Sequence, residues 1–196
     1  MPNNEQSIIL DTCVLEHQGT RVLTCRLDDD GVFPNNPSLP LLVYKNVLKE
    51  TGDLEAEFAR RVVERGWEDR WRNGIYPLHH YHSTSHEILG IAAGTARVQF
   101  GGPTGVILEL EAGDAVVIPA GVSHRNETND PELLVVGAYP DGSFPDILTP
   151  DEDYDDDGGD DVRAAAMERI AALDIPATDP LFGPDGPLVQ LWKKSP

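Results

Sequence analysis

Four of the six histidines in this chain lie within eight consecutive positions, in the stretch HHYHSTSHEILG. His80 and His82 are two residues apart, so on a β-strand they project from the same face, with backbone positions roughly 7 Å apart. Glu87 follows five residues later, after an STS stretch that can turn the chain. Two imidazoles and a carboxylate at this spacing predict a metal site that takes one more ligand from elsewhere.

A second segment, GDAVVIPAGVSHR, offers that ligand. It combines an apolar run typical of a buried strand with a Pro and Gly turn, and His124 follows the turn. Three imidazoles and one carboxylate suit Fe(II), Mn, Ni, Co or Zn, and no thiolate narrows the choice. We therefore expect a divalent metal ion as cofactor, with its identity left open.

Three residues near the predicted ligands are candidates for proton transfer in catalysis, namely His86, Tyr76 and Tyr81. His86 adjoins Glu87, so it could hydrogen-bond to the site or replace a ligand. On a regular strand His79 projects to the opposite face from the predicted ligands, so a supporting or substrate-binding role is only the alternative for it.

Three further residues are candidates for substrate binding, namely Arg72, Gln99 and Arg125. Regular strand alternation would let Arg72 and Gln99 line a barrel, although a Gly and a Pro nearby can break it. Arg125 directly follows a predicted ligand and could pair with an anionic substrate. The alternative for an arginine after a turn is a solvated surface position.

The elements that must position these residues have the pattern of β-structure. Between about residues 70 and 140, short apolar runs alternate with Gly, Pro and Asn every eight to twelve residues, which is typical of an antiparallel sandwich or barrel. Before this region, apolar residues recur every four positions from Leu54 to Val62. This period predicts a helix over 54–65 that ends at Gly66.

The whole chain is expected to fold as one domain. Residues 1–66 would form an N-terminal arm and a helix packed on the barrel, 67–145 the barrel core, and 146–196 an acidic loop, a short helix over VRAAAMERIAAL and an apolar strand or tail. The run DEDYDDDGGDD at 151–161 is expected to be a solvated loop. Its spacing resembles a calcium loop, but Ala164 stands where such a loop needs a glutamate.

Charge and composition restrict the partners and the location. With 34 acidic against 15 basic residues, the formal net charge is -19, which argues against binding to nucleic acid or to an anionic membrane. A small molecule is the expected partner. The N-terminus lacks a signal-peptide pattern and the two cysteines suggest no disulfide framework, so a cytoplasmic protein is expected.

The two histidine segments resemble the paired signature motifs of the cupin superfamily. The fixed positions of the first motif are matched by Gly74, His80, His82, Glu87 and Gly94. Those of the second motif are matched by Gly113, Pro119, Gly121 and His124. The chain departs from the second motif at its final asparagine, where Thr128 stands. The surrounding sequence further resembles a group of small bacterial cupins.

This resemblance implies an all-β double-stranded β-helix, or jelly-roll barrel, with short flanking helices. The barrel mouth would hold the metal on His80, His82, Glu87 and His124. Because cupins often dimerise through sheet edges and N-terminal arms, a homodimer is expected, with residues 1–50 able to cover an exposed edge.

The ligand set leaves several functions open. On an octahedral ion, four protein ligands leave two positions for substrate or O₂, whereas on a tetrahedral ion they close the shell. The leading hypothesis is a metal-dependent enzyme, a dioxygenase or an isomerase, that acts on a small oxygenated organic molecule. The alternative is a non-catalytic cupin that senses or binds a small molecule, or a structural metal domain.

Overall fold

The computed structural model describes residues 14–48, 52–150 and 159–192 of the chain. In these residues the strands are β1 (Val14–His17), β2 (Thr20–Leu27), β3 (Asn36–Lys45), β4 (Trp67–Asn73), β5 (Glu87–Ala93), β6 (Thr95–Phe100), β7 (Val106–Glu111), β8 (Ala115–Ile118), β9 (His124–Asn126) and β10 (Leu134–Pro140). The helices are α1 (Leu54–Glu64), α2 (Gly159–Ala172) and α3 (Pro187–Leu191).

The strands form two antiparallel sheets, which confirms the predicted all-β jelly roll. The larger sheet has the order β1-β2-β3-β8-β5-β10-β4, and the smaller sheet has the order β7-β6-β9. One hydrophobic core fills the space between them, with Leu89 and Ile91 from the larger sheet and Val98 and Phe100 from the smaller one. The strand that begins with Glu87, β5, lies inside the larger sheet between β8 and β10.

The larger sheet is buried on both faces. Its outer face carries a second core, in which Leu42, Tyr44 and Val117 pack with Phe58 of α1 and Trp192 near the chain end. Strands covered on both faces need apolar side chains at every position, which explains the continuous runs LLVY in β3 and AVVI in β8.

The predicted N-terminal arm is part of the larger sheet. Within 14–45, β1, β2 and β3 pair in sequence, and β3 pairs with β8 through Leu42 and Val43. These strands lie in the part of the chain predicted as an arm, and the covering of a sheet edge in a homodimer by this region stays a prediction. Their partner β8 is far away in the sequence, so the pairing becomes visible only in the fold.

Helix α1 covers the outer face of the larger sheet, as its four-residue period predicts. Asp53 caps its first turn by accepting a hydrogen bond from the Ala56 amide at 3.0 Å. Gly66 has φ +77° after the last turn, which is the backbone conformation predicted for the helix end. Phe58 lies so close to Gly90 of β5 that a Cβ atom there would be 2.3 Å from its ring. Gly90 therefore makes room for Phe58.

The C-terminal region closes over the outer core. Helix α2 begins at Gly159, three residues before the predicted start. The predicted apolar strand or tail is the short helix α3, preceded by a turn in which buried Asp179 accepts hydrogen bonds from the Tyr44 hydroxyl and the Leu188 amide. Most of the acidic run 151–161 lies outside the described residues, and the predicted division of the chain at residues 66 and 145 stays a prediction.

No helix in the described part of the chain is both long and apolar enough to cross a membrane.

Gly90→Ala should destabilise the protein by about 1–3 kcal/mol, since the added methyl group overlaps the Phe58 ring in a packed core. Gly74→Ala is the matched control, because a Cβ there meets nothing within 4 Å. The measurement is the free energy of unfolding from urea titration. A Phe58→Leu background should reduce the penalty of Gly90→Ala, and equal losses for the two glycine variants would show that the close approach is unimportant.

Candidate metal centre

Backbone pairing brings the two histidine segments together. The His80 amide donates to the His124 carbonyl at 3.3 Å, and the His124 amide donates to the His80 carbonyl at 2.9 Å. The neighbouring Tyr81 pairs in the same way with Leu148. The regular strand predicted over HHYH is absent from the structure, where these residues make only isolated bridges to two different segments. The predicted convergence of the imidazoles is thus produced by long-range pairing.

Three buried imidazoles form a group that could hold a metal ion. The candidate ligand atoms of His80, His82 and His124 all lie within 4.8 Å of one another. The Glu87 Oε2 atom lies 3.4 Å from His82 Nε2 and 3.3 Å from His124 Nε2. Ligands about 2.1 Å from an ion at right angles lie about 3 Å apart, so this cluster has nearly the dimensions of a coordination shell.

Backbone carbonyls orient all three imidazoles. Nδ1 of His80 lies 3.0 Å from the Leu78 carbonyl, and Nδ1 of His124 lies 3.3 Å from the Val122 carbonyl. Nδ1 of His82 makes the same kind of contact with the Asp146 carbonyl. A carbonyl can only accept, so these contacts favour a proton on each Nδ1, and a neutral imidazole in that tautomer offers its Nε2 lone pair to a metal.

Burial and neighbouring charges set the protonation states of the cluster. Burial, followed by the nearby His124, lowers the pKa of His80 to about 3, so His80 is neutral at pH 7. Burial alone would raise the pKa of Glu87, but His82 and His124 lower it well below its usual range. For His82, burial acts to lower the pKa, but the negative charge of Glu87 outweighs burial, so the pKa of His82 is raised. A neutral His80 and an ionised Glu87 are the forms that bind metals.

The two carboxylate oxygens of Glu87 differ in their hydrogen bonding. The Tyr139 hydroxyl donates to Oε1 at 2.7 Å, whereas Oε2 receives no hydrogen bond of good geometry from the described residues. A buried carboxylate oxygen without a donor is costly unless a cation satisfies it. This orphaned atom faces the imidazoles of His82 and His124, which is the environment that a divalent ion would complete.

Tyr139 and Trp71 support Glu87 and were missed as site residues by the sequence reasoning. The Trp71 indole N–H donates to the Tyr139 hydroxyl at 2.9 Å, which in turn donates to Glu87. Trp71 can reach this position because it packs on Gly137, where a Cβ would be 2.0 Å from its ring. The only signal in the sequence was that Gly137 and Tyr139 are two residues apart, which is the spacing of residues on one face of a strand. That spacing did not show that this strand, β10, pairs with β5.

Asp146 was also missed, and it fixes the loop that carries His82. Its carboxylate accepts from the Ser83 amide at 2.6 Å and the Thr84 amide at 3.1 Å, while its own carbonyl contacts His82 Nδ1. Arg169 of α2 donates to the Ser83 hydroxyl at 2.7 Å. Helix α2 is thereby linked to the candidate ligand through one hydrogen-bonded chain.

Of the predicted catalytic candidates, only Tyr76 lies at the cavity. Its ring meets the His80 ring edge to face, with centroids 5.3 Å apart. Tyr81 is fully buried near Phe33, with the two ring centroids 6.4 Å apart. His86 accepts a hydrogen bond from the Ala120 amide at 2.9 Å and its ring packs on Trp192, so it lies on the side of the sheet opposite the cavity.

The predicted substrate-binding residues lie outside the cavity. Arg72 forms ion pairs with Glu55 and Asp69 on the surface. Arg125 donates to Gln99 at 3.0 Å and to Glu127 at 3.0 Å, and Gln99 also contacts His79 Nε2 at 3.2 Å. The structure does not bring these three residues into the lining of the cavity, and a role in substrate binding stays a prediction for them.

A cavity of about 500 Å³ opens over the cluster. This volume is in the range of small-molecule sites. Its walls come from β4, the irregular segment after it, β10 and the chain beyond β10. The lining residues are Trp71, Asn73, Gly74, Ile75, Tyr76, His80, His82, Glu87, Leu89, His124, Tyr139, Ile147 and Thr149.

Comparison with known proteins identifies the family. A family model described as "Cupin domain" matches residues 72–137. The chain is 42% identical over 167 residues to the Bacillus subtilis (strain 168) protein named "Uncharacterized protein YjlB", a match that covers 85% of this chain and 93% of that protein. The chain belongs to the cupin superfamily. The resemblance of its two histidine motifs is therefore confirmed, including the segment that departs at Thr128.

Solved structures resemble this cupin only weakly. Procruciferin, an 11S globulin from Brassica napus, is 13% identical over 67% of this chain and 28% of its own, with a TM-score of 0.34. A mutant of Bacillus subtilis oxalate decarboxylase is 14% identical over 70% of this chain and 29% of its own, with a TM-score of 0.32. This cupin thus spans less than a third of either chain, and neither likeness carries an argument about its activity.

Tyr139→Phe should lower the affinity for a divalent ion about tenfold, because Glu87 loses the donor that fixes its second oxygen. The measurement is a competition between the protein and a chromophoric chelator for Co²⁺. Tyr76→Phe is the matched control, since it removes a half-exposed hydroxyl from the same cavity at a residue that meets His80 only through its ring. If Tyr139→Phe and the unaltered protein bind Co²⁺ with equal affinity, Tyr139 does not support the metal site.

Proposed function

We propose that this cupin is a metal-dependent dioxygenase that binds one divalent ion through His80, His82, Glu87 and His124 and acts on a small oxygenated organic molecule. The observation that carries the proposal is the orientation of the three imidazoles. Each Nδ1 lies against a backbone carbonyl, which turns Nε2 of a neutral imidazole toward metal binding, and the His82 and His124 Nε2 atoms lie beside the unsatisfied oxygen of Glu87 in the lining of an open cavity.

The ligand count supports an open coordination sphere. Four protein ligands on an octahedral ion leave two of its six positions for oxygen atoms of a substrate or for O₂. When bound, the ion would supply Lewis acidity and, as Fe(II) or Mn, redox chemistry. In a dioxygenase that cleaves a carbon–carbon bond of its substrate and inserts both atoms of O₂, the substrate supplies all four electrons, so that reaction needs no external reductant.

The lining of the cavity favours a dioxygenase over an isomerase. An isomerase must move a proton, which requires an acid or base beside the substrate. Among the described lining residues the only carboxylate is Glu87, and the only imidazoles are the three candidate ligands. Burial, together with the charge of Glu87, raises the pKa of Tyr139 far above its usual range, which makes Tyr139 a poor base.

The other residues of the site would hold and enclose the reactants. Trp71 and Tyr139 fix the carboxylate of Glu87 in one orientation. Ile75 and Leu89 line the cavity, and their apolar side chains would keep water away from the reacting atoms. Asn73 and Thr149 offer polar groups in the same lining.

A non-catalytic binding or structural role is the alternative. A tetrahedral ion such as Zn²⁺ would use all four ligands and leave no position for substrate. The predicted homodimer and the predicted cytoplasmic location stay predictions. Sedimentation analysis of the purified chain tests the first of them.

Protein purified anaerobically without added metal should contain about one Fe, Mn, Ni or Co per chain, and the His80→Ala, His124→Ala double variant should lose it. Elemental analysis is the measurement. His79→Ala is the matched control, because this adjacent imidazole contacts Ser123 and Gln99 instead of Glu87. Equal metal content in the double variant and the control would contradict the ligand assignment, and zinc alone would favour the non-catalytic role.

The Fe(II)-loaded protein should bind nitric oxide, a spectroscopic stand-in for O₂, because two coordination positions are expected to be open. Electron paramagnetic resonance detects the complex by its high-spin signal. If the iron-loaded protein gives no such signal, its coordination shell is closed, and the dioxygenase proposal is contradicted. The Tyr139→Phe variant, loaded with iron to the same level, should still bind nitric oxide. Tyr139 hydrogen-bonds to the proposed ligand Glu87 and does not itself occupy a coordination position of the metal.

A further inference from the structure

One face of helix α2 lies against the segments that hold the candidate ligand His82. Ala166, Arg169 and Ile170 have the three- and four-residue spacing that places side chains on one side of a helix. Ala166 is fully buried and packs in a small core with Tyr81, the residue directly before His82. None of these three helix residues lines the cavity. Helix α2 therefore contacts the neighbours of His82 from outside the cavity.

Ile170 packs on the residue that holds the backbone of His82. The Gly121 amide donates to the His82 carbonyl at 2.8 Å. Gly121 has φ +90°, a conformation that favours glycine, and a Cβ atom there would be 2.9 Å from Cδ1 of Ile170. The helix thus reaches the carbonyl of His82 through one intervening residue.

Arg169 acts on the residue that follows His82. Ser83 is fully buried, and its hydroxyl donates to the Asp146 carboxylate and accepts from Nε of Arg169 at 2.7 Å. A hydroxyl with both a donor and an acceptor partner is held in one orientation. Nη2 of Arg169 also lies 3.7 Å from Oδ2 of Asp146. Since the carbonyl of Asp146 contacts Nδ1 of His82, Arg169 helps to fix the group that orients this imidazole.

We propose that Arg169 is a positioning residue for the candidate ligand His82, and that it orients this imidazole through Ser83 and Asp146 from outside the cavity. Helix α2 thereby controls the affinity of the site for its ion without supplying a ligand. This inference rests on the proposed metal site. It deepens the proposed function by naming the element that regulates metal binding there.

Arg169→Gln should lower the affinity for Co²⁺ about tenfold, because the Asp146 carbonyl would no longer hold His82 in one orientation. The measurement is a competition between the protein and a chromophoric chelator. Arg163→Gln is the matched control, since it removes the same charge from the same helix at a residue that pairs with Asp29. The control should bind Co²⁺ as tightly as the unaltered protein. Removing a positive charge would by itself favour a cation, so a weaker affinity cannot come from the charge.

Three further measurements separate positioning from general support of the fold. The visible absorption bands of bound Co²⁺ should shift in Arg169→Gln and not in Arg163→Gln, because they report the arrangement of the ligands. Arg169→Lys keeps a cationic donor and should recover part of the affinity. The Ser83→Ala, Arg169→Gln double variant should bind Co²⁺ no more weakly than the weaker single variant, since both residues act through the same hydrogen bonds.

The outcomes distinguish failure of the metal site from failure of this inference. If the unaltered protein takes up no Co²⁺, the metal site and the inference are both contradicted. If it takes up Co²⁺ and Arg169→Gln binds the ion equally tightly, only the inference is contradicted. Equal losses in Arg169→Gln and Arg163→Gln would also contradict it, because they would show that the helix supports the site only by its general packing. Additive losses in the double variant would contradict the path through Ser83.

Discussion

The backbone pairing of His80 with His124 is the contact on which the geometry of the site depends. Its two hydrogen bonds, at 3.3 and 2.9 Å, join segments that are far apart in the sequence. The Gly121 amide extends the connection by donating to the His82 carbonyl at 2.8 Å. Because imidazoles reach only a few ångströms from their backbone, three of them can converge only when their backbones are fixed against one another in this way.

Burying Glu87 among these imidazoles is costly, and the surrounding structure compensates for it. Its Oε1 atom receives the Tyr139 hydroxyl, while its Oε2 atom lies against two imidazoles. The larger sheet holds Glu87 in place because both of its faces are buried, one against the smaller sheet and one against α1 and the C-terminal region. A sheet packed in this way moves little, so it can keep the candidate ligands close without a bound ion.

Much of the fold could be predicted from local patterns. Helix α1 and strands β5 to β8 and β10 lie where the apolar periods and turn residues indicated. The predictions failed where a segment depends on a distant partner. Residues 14–45 form three strands because β8 is available to pair with β3, and the HHYH stretch is irregular because it bridges two segments at once. The role of Gly90 likewise depends on a distant residue, since the ring of Phe58 packs against it.

For the site, the sequence by itself determined which side chains could act as ligands, because imidazole and carboxylate chemistry and motif spacing are local properties. The net charge of -19 also argues against nucleic acid or an anionic membrane as a partner. Only the tertiary structure decided that Tyr139 and Trp71 support Glu87, and that Arg72 and Arg125 are held away from the cavity by acidic partners. These roles depend on which strands are neighbours and which way their side chains turn, and that information arises only when distant segments pair.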